Sequence, residues 1–441
     1  MPVNVNRRRF IEAGAGAATA LLLGDRVWGQ NNRPPNIVLI VADDLGIETL
    51  QPYGSQFYRT PRLNQLARES LLFNHCYATP LCTPSRLMLM TGKYNHRNYV
   101  TFSNLPRGER TIAHLLREKG YKTCIVGKWQ LARIQGQRPD EAGFDEFSLS
   151  PGPDAKSGTP TGSLIYWFPK INENDVWKPT TPDQYGPDLS VQYLLNFISQ
   201  NQNRPFFAYY AMHLPHGPHD ATPDSADPSI RSDIVVFPDM VTYLDKQVGQ
   251  ILQKLDRLNL RQNTVVIFTS DNGSPPEVTS PFQGGQVRGG KSLMNDRGTH
   301  VPLIVNWPGV ISPNSRTNAI VDFTDFFPTF SEMAGGNQSE AQSLDGVSML
   351  PIWRGEVQNT KGYAMIAYPE RYASDLRSFW ARTQQYKLYD SGLMYDIPAD
   401  PEEQAPIYPQ DDNSQQQIIR RRLEVTLRRF GLSVPRPRKP G

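Results

Sequence analysis

The chain has 441 residues, of which 38% are hydrophobic and 20% are charged, a composition typical of a folded globular protein. This length exceeds what one hydrophobic core usually supports, so we expect a large domain with a smaller one appended. The formal net charge of +3 is small and the basic residues are spread evenly, which argues against nucleic-acid binding as the main activity.

The first unit along the chain, residues 1–30, is predicted to be an export signal. Three arginines precede Phe10, and an apolar, alanine-rich run follows at residues 13–23. That run is too short to span a bilayer stably, so we expect no stable membrane anchor. The paired arginines resemble a bacterial twin-arginine signal, which predicts a periplasmic or secreted protein. The alternative is an ordinary secretory signal or an uncleaved anchor.

Five apolar runs rich in β-branched or aromatic residues predict buried strands. They cover residues 36–42, 123–126, 206–210, 264–269 and 303–305. Between them, apolar residues spaced three and four apart predict helices at residues 63–67, 112–116, 191–198 and 241–255. This alternation predicts an α/β fold in which a large mixed, mainly parallel sheet lies between layers of helices.

The pattern changes after about residue 345, so we divide the chain into a main catalytic domain at residues 31–345 and a small α+β subdomain at residues 346–441. Short strand-like segments at residues 378–382, 386–389 and 393–396 predict a small antiparallel sheet. An amphipathic helix is expected from about Gln415 to Phe430. Its basic cluster, Arg420 to Arg422 with Arg428 and Arg429, is interpreted as a solvated helix face, with a docking site for an anionic polymer as the alternative.

The chain has three cysteines, Cys76, Cys82 and Cys124. An odd number allows one disulfide at most, so at least one thiol is free or chemically changed. We expect Cys76 and Cys124 to be buried structural thiols. The chemistry is therefore sought around Cys82.

Acidic and amide side chains follow two of the predicted strands. Asp43 and Asp44 follow the first, and Asp271 and Asn272 follow the fourth. Ligands collect beyond the carboxyl ends of parallel strands, and oxygen ligands suit calcium or magnesium better than zinc. Each pair alone is more typical of a turn or a helix cap. Together, the four side chains predict a shared divalent metal site.

The segment Cys82-Thr83-Pro84-Ser85-Arg86, continuing to Thr91-Gly92-Lys93, closely resembles the signature of the sulfatase family. Other sulfatase-like blocks follow in the expected order at residues 127–129, 215–218, 269–273, 290–291 and 298–302. The resemblance covers roughly residues 36–355 and, more weakly, residues 386–403. It implies an alkaline phosphatase-like fold and hydrolysis of a sulfate ester.

The resemblance also assigns roles to individual residues. In sulfatases a maturation enzyme converts the signature cysteine to formylglycine, which implies the same for Cys82. The metal ligands that the resemblance implies, for calcium or else magnesium, are Cys82, Asp43, Asp44, Asp271 and Asn272. The residues at positions that contact the aldehyde or the sulfate are Arg86, Lys128, His216 and Lys291.

These residue types suit the reaction that the resemblance implies. A hydrated aldehyde has a second hydroxyl through which sulfate is released, whereas a thiol has none. The metal would polarise a sulfate oxygen, and the basic side chains would stabilise oxygens that gain negative charge. His216 would protonate the departing alcohol or phenol.

Gln130 departs from the pattern of most sulfatases, which have Gly-Lys-Trp-His where this chain has Gly-Lys-Trp-Gln. The family's histidine serves the hydroxyls of the aldehyde, and glutamine cannot accept a proton at neutral pH. Three interpretations stay open: His213 or His219 substitutes as a base, Gln130 positions water in a variant subfamily, or turnover is lost. We favour the second, because residues 94–99 and 212–216 resemble sulfatases that share this glutamine.

The leading prediction, by analogy with exported members of this family, is thus hydrolysis of a sulfate ester on a sugar or polysaccharide. The expected partners are a sulfated small molecule or glycan and a formylglycine maturation enzyme. One alternative is a phosphate or phosphonate ester hydrolase of the same superfamily. The other is a non-catalytic homologue that binds sulfated glycans, which only Gln130 supports. Asn95, His96 and Arg97, just beyond the signature, either reach a substrate or order their loop.

Overall fold

The computed structural model describes residues 33–133, 135–151, 164–336, 343–368 and 379–439. The predicted export signal and its apolar run lie outside the described residues. Within the described ranges, none of the helices combines the length and the apolar character needed to cross a membrane.

The strands are short, and most of them are buried. Their bounds are β1 Asn36–Ala42, β2 Leu71–Tyr77, β3 Lys122–Gly127, β4 Glu146–Leu149, β5 Ile171–Glu173, β6 Val176–Lys178, β7 Phe206–Ala211, β8 Thr264–Ser270, β9 Thr279–Phe282, β10 Gly285–Arg288, β11 His300–Val301, β12 Leu303–Asn306, β13 Ser315–Asp322, β14 Ala364–Ala367, β15 Phe379–Arg382, β16 Tyr386–Tyr389 and β17 Met394–Asp396.

The helices alternate with the strands in the first three quarters of the chain. Their bounds are α1 Pro61–Arg68, α2 Cys82–Thr91, α3 Ile112–Glu118, α4 Gly186–Gln200, α5 Phe237–Arg257, α6 Asp296–Thr299, α7 Phe326–Met333, α8 Leu350–Trp353 and α9 Ser414–Arg429.

An eleven-stranded sheet forms the centre of the fold. Strands β8, β1, β7, β3 and β4 are parallel neighbours in that order. On one side of them β12 and β2 pair antiparallel, and on the other β5 and β6 do the same. The prediction of a mixed, mainly parallel sheet is therefore confirmed, and the run at residues 303–305 forms its antiparallel strand β12.

Each face of the sheet is covered by its own hydrophobic core. Strand β1 shows why, because its side chains alternate between the faces: Ile37, Leu39 and Val41 enter one core, and Val38, Ile40 and Ala42 enter the other. Helices α2, α3 and α7 pack on the first face, and α1, α4 and α5 pack on the second. Each fully buried aliphatic side chain contributes roughly 1.5–3 kcal/mol. A strand buried on both faces explains the continuous apolar runs.

The C-terminal region forms the predicted antiparallel sheet, in the order β14-β15-β16-β17, and α9 packs on it. The core on the α2 face includes Trp380 of this sheet and Leu427 of α9, so the sheet and the helix share that core. A buried ion cluster adds to this attachment. Arg382 and Lys387 lie 2.6 Å and 3.0 Å from Asp296, and Lys387 lies 3.0 Å from Glu403.

The interpretation of the basic cluster on α9 is wrong for one of its members. Arg420 is buried and donates to both carboxylate oxygens of Asp412, at 2.6 Å and 2.9 Å. A hydrogen-bonded carboxylate therefore compensates for the burial of this guanidinium. The other four arginines of the cluster are exposed.

Candidate active site

The parallel register brings the polar ends of two strands together. Ala42 and Ser270 are register partners at the ends of β1 and β8, so Asp43 and Asp271 leave the sheet side by side. The Asp271 amide donates to the Ala42 carbonyl at 3.1 Å, which fixes this arrangement through the backbone. Asp43 and Asp271 therefore meet at the carboxyl edge of the sheet.

Lys128 reaches the same edge from β3, and Gly127 makes this possible. Gly127 has φ +98°, and a Cβ atom there would lie 2.0 Å from the Ala211 carbonyl oxygen. Only glycine fits such a close approach with a left-handed backbone. The Lys128 amide then donates to the same Ala211 carbonyl at 2.8 Å.

Cys82 is the first residue of α2, and its side chain is buried at this edge. One ligand atom from each of Asp43, Cys82 and Asp271 lies within 4.8 Å of the others, and so does one from each of Asp43, Asp44 and His216. The structure thus gathers Asp43 and Asp271 around Cys82, and Asp43 also joins this group to Asp44 and His216. Burial raises the pKa of the Cys82 thiol, so the unmodified side chain is a poor nucleophile at neutral pH.

Three cations pair with the three carboxylates. Arg86 donates to Asp271 Oδ2 from Nε at 3.0 Å and from Nη2 at 2.8 Å. Lys128 Nζ lies 2.6 Å from Asp43 Oδ2, and Lys291 Nζ lies 2.6 Å from Asp44 Oδ2. The Arg86 side chain is only 1% exposed, whereas those of Lys128 and Lys291 are 11% and 22% exposed. The lysines can therefore turn towards an entering anion, while Arg86 is fixed.

The electrostatics of the carboxylates differ because their partners differ. Burial alone would raise the pKa of Asp43, but Lys128, His216 and Arg86 outweigh it and hold that pKa below its usual range. Burial and the neighbouring Asp43 carboxylate raise the pKa of Asp271 to about 7. Crowding of buried carboxylates is the situation that a divalent cation relieves.

Two buried oxygens at this edge are Asp43 Oδ1 and Asn272 Oδ1. Among the described residues, neither Asp43 Oδ1 nor Asn272 Oδ1 has a partner. Asn272 uses its amide nitrogen instead, donating to Asp44 Oδ1 at 2.7 Å. Buried polar atoms in folded proteins are normally satisfied, so unpaired oxygens beside three carboxylates fit a hard divalent cation.

Three histidines lie around the site. His216 Nδ1 donates to the Gly217 carbonyl, which leaves Nε2 facing Asp44 Oδ2 at 3.7 Å. Burial, followed by the charge of Lys128, lowers the pKa of His216 to about 4 and that of His213 to about 3. Burial also lowers the pKa of His219. Each histidine is therefore neutral at pH 7 in this state.

Gln130 follows Lys128 and Trp129 at the end of β3. Its backbone is in the left-handed region, with φ +54°, and its buried Oε1 has no hydrogen-bond partner in the part of the chain that the structure describes. A residue that only fills space rarely combines a left-handed backbone with a buried amide oxygen that has no hydrogen-bond partner.

Tyr166 supports the histidine loop and was not predicted from the sequence. Its buried hydroxyl donates to the carbonyl oxygens of His213 and His216, the former at 3.0 Å. Tyr166 lies in no motif, so only the folded chain reveals this contact. Ser270 and Ser274 were also missed, and their hydroxyls accept from the Leu45 and Gly46 amides in the turn after Asp44.

The segment after the signature helix does not reach these side chains. Asn95 Nδ2 donates to the Pro84 carbonyl, His96 Nε2 bonds to the Phe430 carbonyl at 3.1 Å, and Arg97 pairs with Asp345. These contacts order the loop after α2, and the one from His96 also ties it to the C-terminal region. The loop-ordering alternative is therefore the one that the geometry supports.

Comparison with known proteins identifies the family. The Sulfatase family model matches residues 35–336, and the model described as N-sulphoglucosamine sulphohydrolase, C-terminal, matches residues 289–430. N-acetylgalactosamine-6-sulfatase of Homo sapiens is 32% identical over 394 residues, covering 82% of this chain and 74% of the relative. Arylsulfatase A of Homo sapiens is 32% identical over 408 residues, covering 85% of this chain and 78% of the relative.

Solved structures agree with this family. Ps i-CgsB in complex with k-i-k-neocarrahexaose aligns with a TM-score of 0.72 and 26% identity, covering 90% of this chain and 92% of that chain. The predicted alkaline phosphatase-like fold is confirmed. With a family model over more than half of its length and two relatives above 30% identity, the chain belongs to the sulfatase family of sulfuric ester hydrolases.

Proposed function

We propose that this chain hydrolyses a sulfate ester on a sugar or polysaccharide, using formylglycine made from Cys82 and a bound calcium ion. The observation that carries the proposal is the buried group of Cys82, Asp43 and Asp271, whose ligand atoms lie within 4.8 Å of one another. Asp44 and Asn272 would complete the oxygen ligands of the ion. Magnesium is the alternative ion for the same set.

Calcium and formylglycine would supply distinct chemistry. A bound calcium ion would polarise a sulfate oxygen. Hydrated formylglycine would supply a nucleophilic hydroxyl and a second hydroxyl through which sulfate is released. Making formylglycine is a two-electron oxidation in which the side chain loses its sulfur, so it requires a maturation enzyme that supplies the oxidant.

The basic residues have separable roles. Arg86 is buried and makes two hydrogen bonds to Asp271, so we assign it to positioning that carboxylate. Lys128 and Lys291 are partly exposed and each contacts a single carboxylate oxygen. On entry of substrate, their ammonium groups would turn to the sulfate oxygens and stabilise the charge that develops there.

His216 is proposed as the proton donor to the leaving alcohol. Its Nε2 faces the site, while Nδ1 is held by the Gly217 carbonyl. Because its pKa is lowered to about 4, Nε2 carries no proton at neutral pH in this state. An anionic sulfate ester would raise this pKa by charge attraction, which couples proton uptake to substrate binding.

Gln130 is proposed to position a water molecule where most sulfatases place a histidine. The unpaired Oε1 and the left-handed backbone support this role. As sulfate is released, the remaining hydroxyl of the hydrated aldehyde loses its proton, and a water held by Gln130 could accept that proton and pass it to solvent. Gln130→Ala should therefore lower kcat more than it raises KM.

The sugar substrate is proposed from the relatives and from the shape of the site. An N-acetylgalactosamine-6-sulfatase and a structure with a bound hexaose are among the similar proteins. A cavity of about 660 Å³, lined in part by Asp44, His216 and Lys291, opens onto the site and is large enough for a sugar. If the predicted export signal operates, the enzyme would act on glycans outside the cytoplasm, after twin-arginine export to the periplasm or beyond.

Mass spectrometry of natively expressed protein tests the nucleophile. Trypsin releases residues 69–86, which contain both Cys76 and Cys82, and residues 123–128, which contain Cys124. After thiol alkylation, fragment ions should show a loss of about 18 Da at Cys82, as expected for thiol-to-aldehyde conversion, and ordinary alkylation at Cys76 and Cys124. An alkylated thiol at Cys82 in fully active protein would refute the assignment.

Paired kinetics test the reaction class. Matured protein should hydrolyse 4-nitrophenyl sulfate with a higher kcat/KM than 4-nitrophenyl phosphate, and Cys82→Ala should remove both activities. Cys124→Ala, at a buried thiol on β3, is the matched control and should retain them. A preference for phosphate would favour the phosphate or phosphonate hydrolase. Tight binding of a sulfated sugar without sulfate release would favour the binding protein.

A further inference from the structure

The outer part of the cavity has a charge distribution of its own. Asp44 and Lys291 lie at its inner end, where their 2.6 Å ion pair balances their charges. The remaining charged side chains in the lining are Asp233 and Glu277, both of them exposed. The outer wall is therefore acidic, although the substrate that enters carries an anionic sulfate.

The two acidic residues come from separate segments of the chain, and backbone hydrogen bonds hold each segment in place. The Asp233 amide donates to the His219 carbonyl at 2.9 Å, and one Asp233 oxygen caps the turn at the Val235 amide. Glu277 lies in a turn closed by the Val278 amide and the Pro275 carbonyl at 3.0 Å.

His219 adds a neutral polar group to the acidic wall. Its Nε2 is buried and has no hydrogen-bond partner in the described ranges. Burial lowers its pKa despite the charges of Asp44, Glu277 and Asp233 nearby, so the ring is neutral at pH 7. A neutral ring nitrogen and two carboxylates are suitable partners for hydroxyl or ammonium groups, and poor partners for a second anion.

Nearby cations do not reverse this pattern. Arg288 donates from Nε to the Pro276 carbonyl at 2.6 Å, and Arg231 lies 5.0 Å over the Trp167 ring. Neither of them belongs to the cavity lining. Within the described lining, a second sulfate or a carboxylate on the substrate would meet carboxylates and no unpaired ammonium or guanidinium group.

We infer that the outer part of the cavity lining, formed by Asp233, Glu277 and His219, acts as a selectivity wall. It admits a sulfate ester whose remaining groups are hydroxyl or ammonium, and it disfavours densely sulfated or uronate-bearing glycans. This inference rests on the proposed function, because it places the sulfate at the Lys291 end of the cavity. Repulsion between like charges in a partly enclosed site weakens the binding of a ligand with a second anionic group, and salt screens this repulsion.

A charge series of aryl sulfates tests the wall without requiring turnover. Protein produced without a maturation enzyme keeps the Cys82 thiol, and calorimetry measures its binding of phenyl sulfates with para aminomethyl, hydroxymethyl or carboxymethyl groups. The aminomethyl compound should bind about tenfold more tightly than the carboxymethyl compound at low salt, with the hydroxymethyl compound between them. The difference should shrink in high salt.

Variants assign the preference to the wall. Asp233→Asn with Glu277→Gln, a net charge change of +2 that equals that of the control, should abolish the order, since asparagine keeps the cap at Val235 while both acidic charges are removed. Glu356→Lys, an exposed carboxylate paired with Arg354 outside the lining, controls for net charge and should preserve the order.

The inference is overturned if the carboxymethyl compound binds as tightly as the others, if the order survives in the double variant, or if no aryl sulfate binds. Sulfate release by matured protein is measured separately. A charge preference without sulfate release would contradict the proposed function alone, and sulfate release without a charge preference would contradict the selectivity wall alone.

Discussion

The dependence of stability on calcium can be worked out for one substitution, Asp271→Asn. The side chain keeps its size but loses its charge, and Arg86 loses the carboxylate that accepts its hydrogen bonds at 2.8 Å and 3.0 Å. Asp43, 3.8 Å from Arg86, remains as a weaker partner. Removing the charge also relieves the repulsion between the Asp271 and Asp43 carboxylates. We therefore expect the free energy of unfolding without metal to fall by only about 1–2 kcal/mol, less than the ~3–5 kcal/mol typical of a broken buried ion pair.

Asp271→Asn should lower the free energy of unfolding by more when calcium is present. An ion at a hundred times its Kd stabilises the folded wild type by about 2.7 kcal/mol, and a variant that lacks one anionic ligand should gain less than about 1 kcal/mol at the same concentration. Differential scanning calorimetry in calcium and in chelator measures both gains. Turnover of 4-nitrophenyl sulfate should be lost in Asp271→Asn.

A matched control separates the metal from general destabilisation. Asp245 is a buried carboxylate on α5 that accepts from the Leu63 and Arg62 amides at 2.7 Å and 3.0 Å, away from the cavity. Asp245→Asn should destabilise the protein equally with and without calcium. The reasoning is refuted if calcium raises the unfolding temperature of Asp271→Asn as much as that of the wild type, or leaves the wild type unchanged.

Three further predictions concern single contacts. Burial alone would raise the pKa of Asp296, but Arg382, Lys387 and His300 together outweigh it and hold that pKa below its usual range. Asp296 therefore stabilises the fold above the unfolded pKa and loses that effect in acid. Asp296→Asn should therefore lower the free energy of unfolding, measured in urea, by about 3–5 kcal/mol at pH 7 and by less below about pH 4. A loss that does not change with pH would contradict this. Gly127→Ala should lower the free energy of unfolding by well over about 1 kcal/mol and should lower kcat/KM. Gly120→Ala is the control, because Gly120 also has a positive φ but open space where a Cβ would lie. It should lower the free energy of unfolding by only about 1 kcal/mol and leave activity unchanged. Tyr166→Phe should lower kcat/KM for an aryl sulfate about tenfold with a stability loss of about 1 kcal/mol, and unchanged kinetics would show that its hydroxyl does not hold the histidine loop.

Many strands of the large sheet can be predicted from the local hydrophobic pattern of the sequence. The central strands are continuous apolar runs, because each is buried on both faces, and such runs are visible in the sequence. Strand β2 was missed, since Asn74 and His75 interrupt its apolar pattern and are only partly buried. Strand β13 was missed because its first half, from Ser315 to Asn318, is mostly polar and lies at an edge of the sheet.

For the site, local pattern alone predicts the residue types: acidic and amide side chains after two strands, the signature around Cys82, and the basic residues in later blocks. Which of their atoms meet depends on how the chain folds. The parallel register of β1 and β8 sets Asp43 beside Asp271 across more than two hundred residues of chain, and folding pairs Lys128 and Lys291 with different carboxylates. Sequence spacing carries no information about such contacts, because they depend on how distant strands align and on which charges burial forces to share one low-dielectric space.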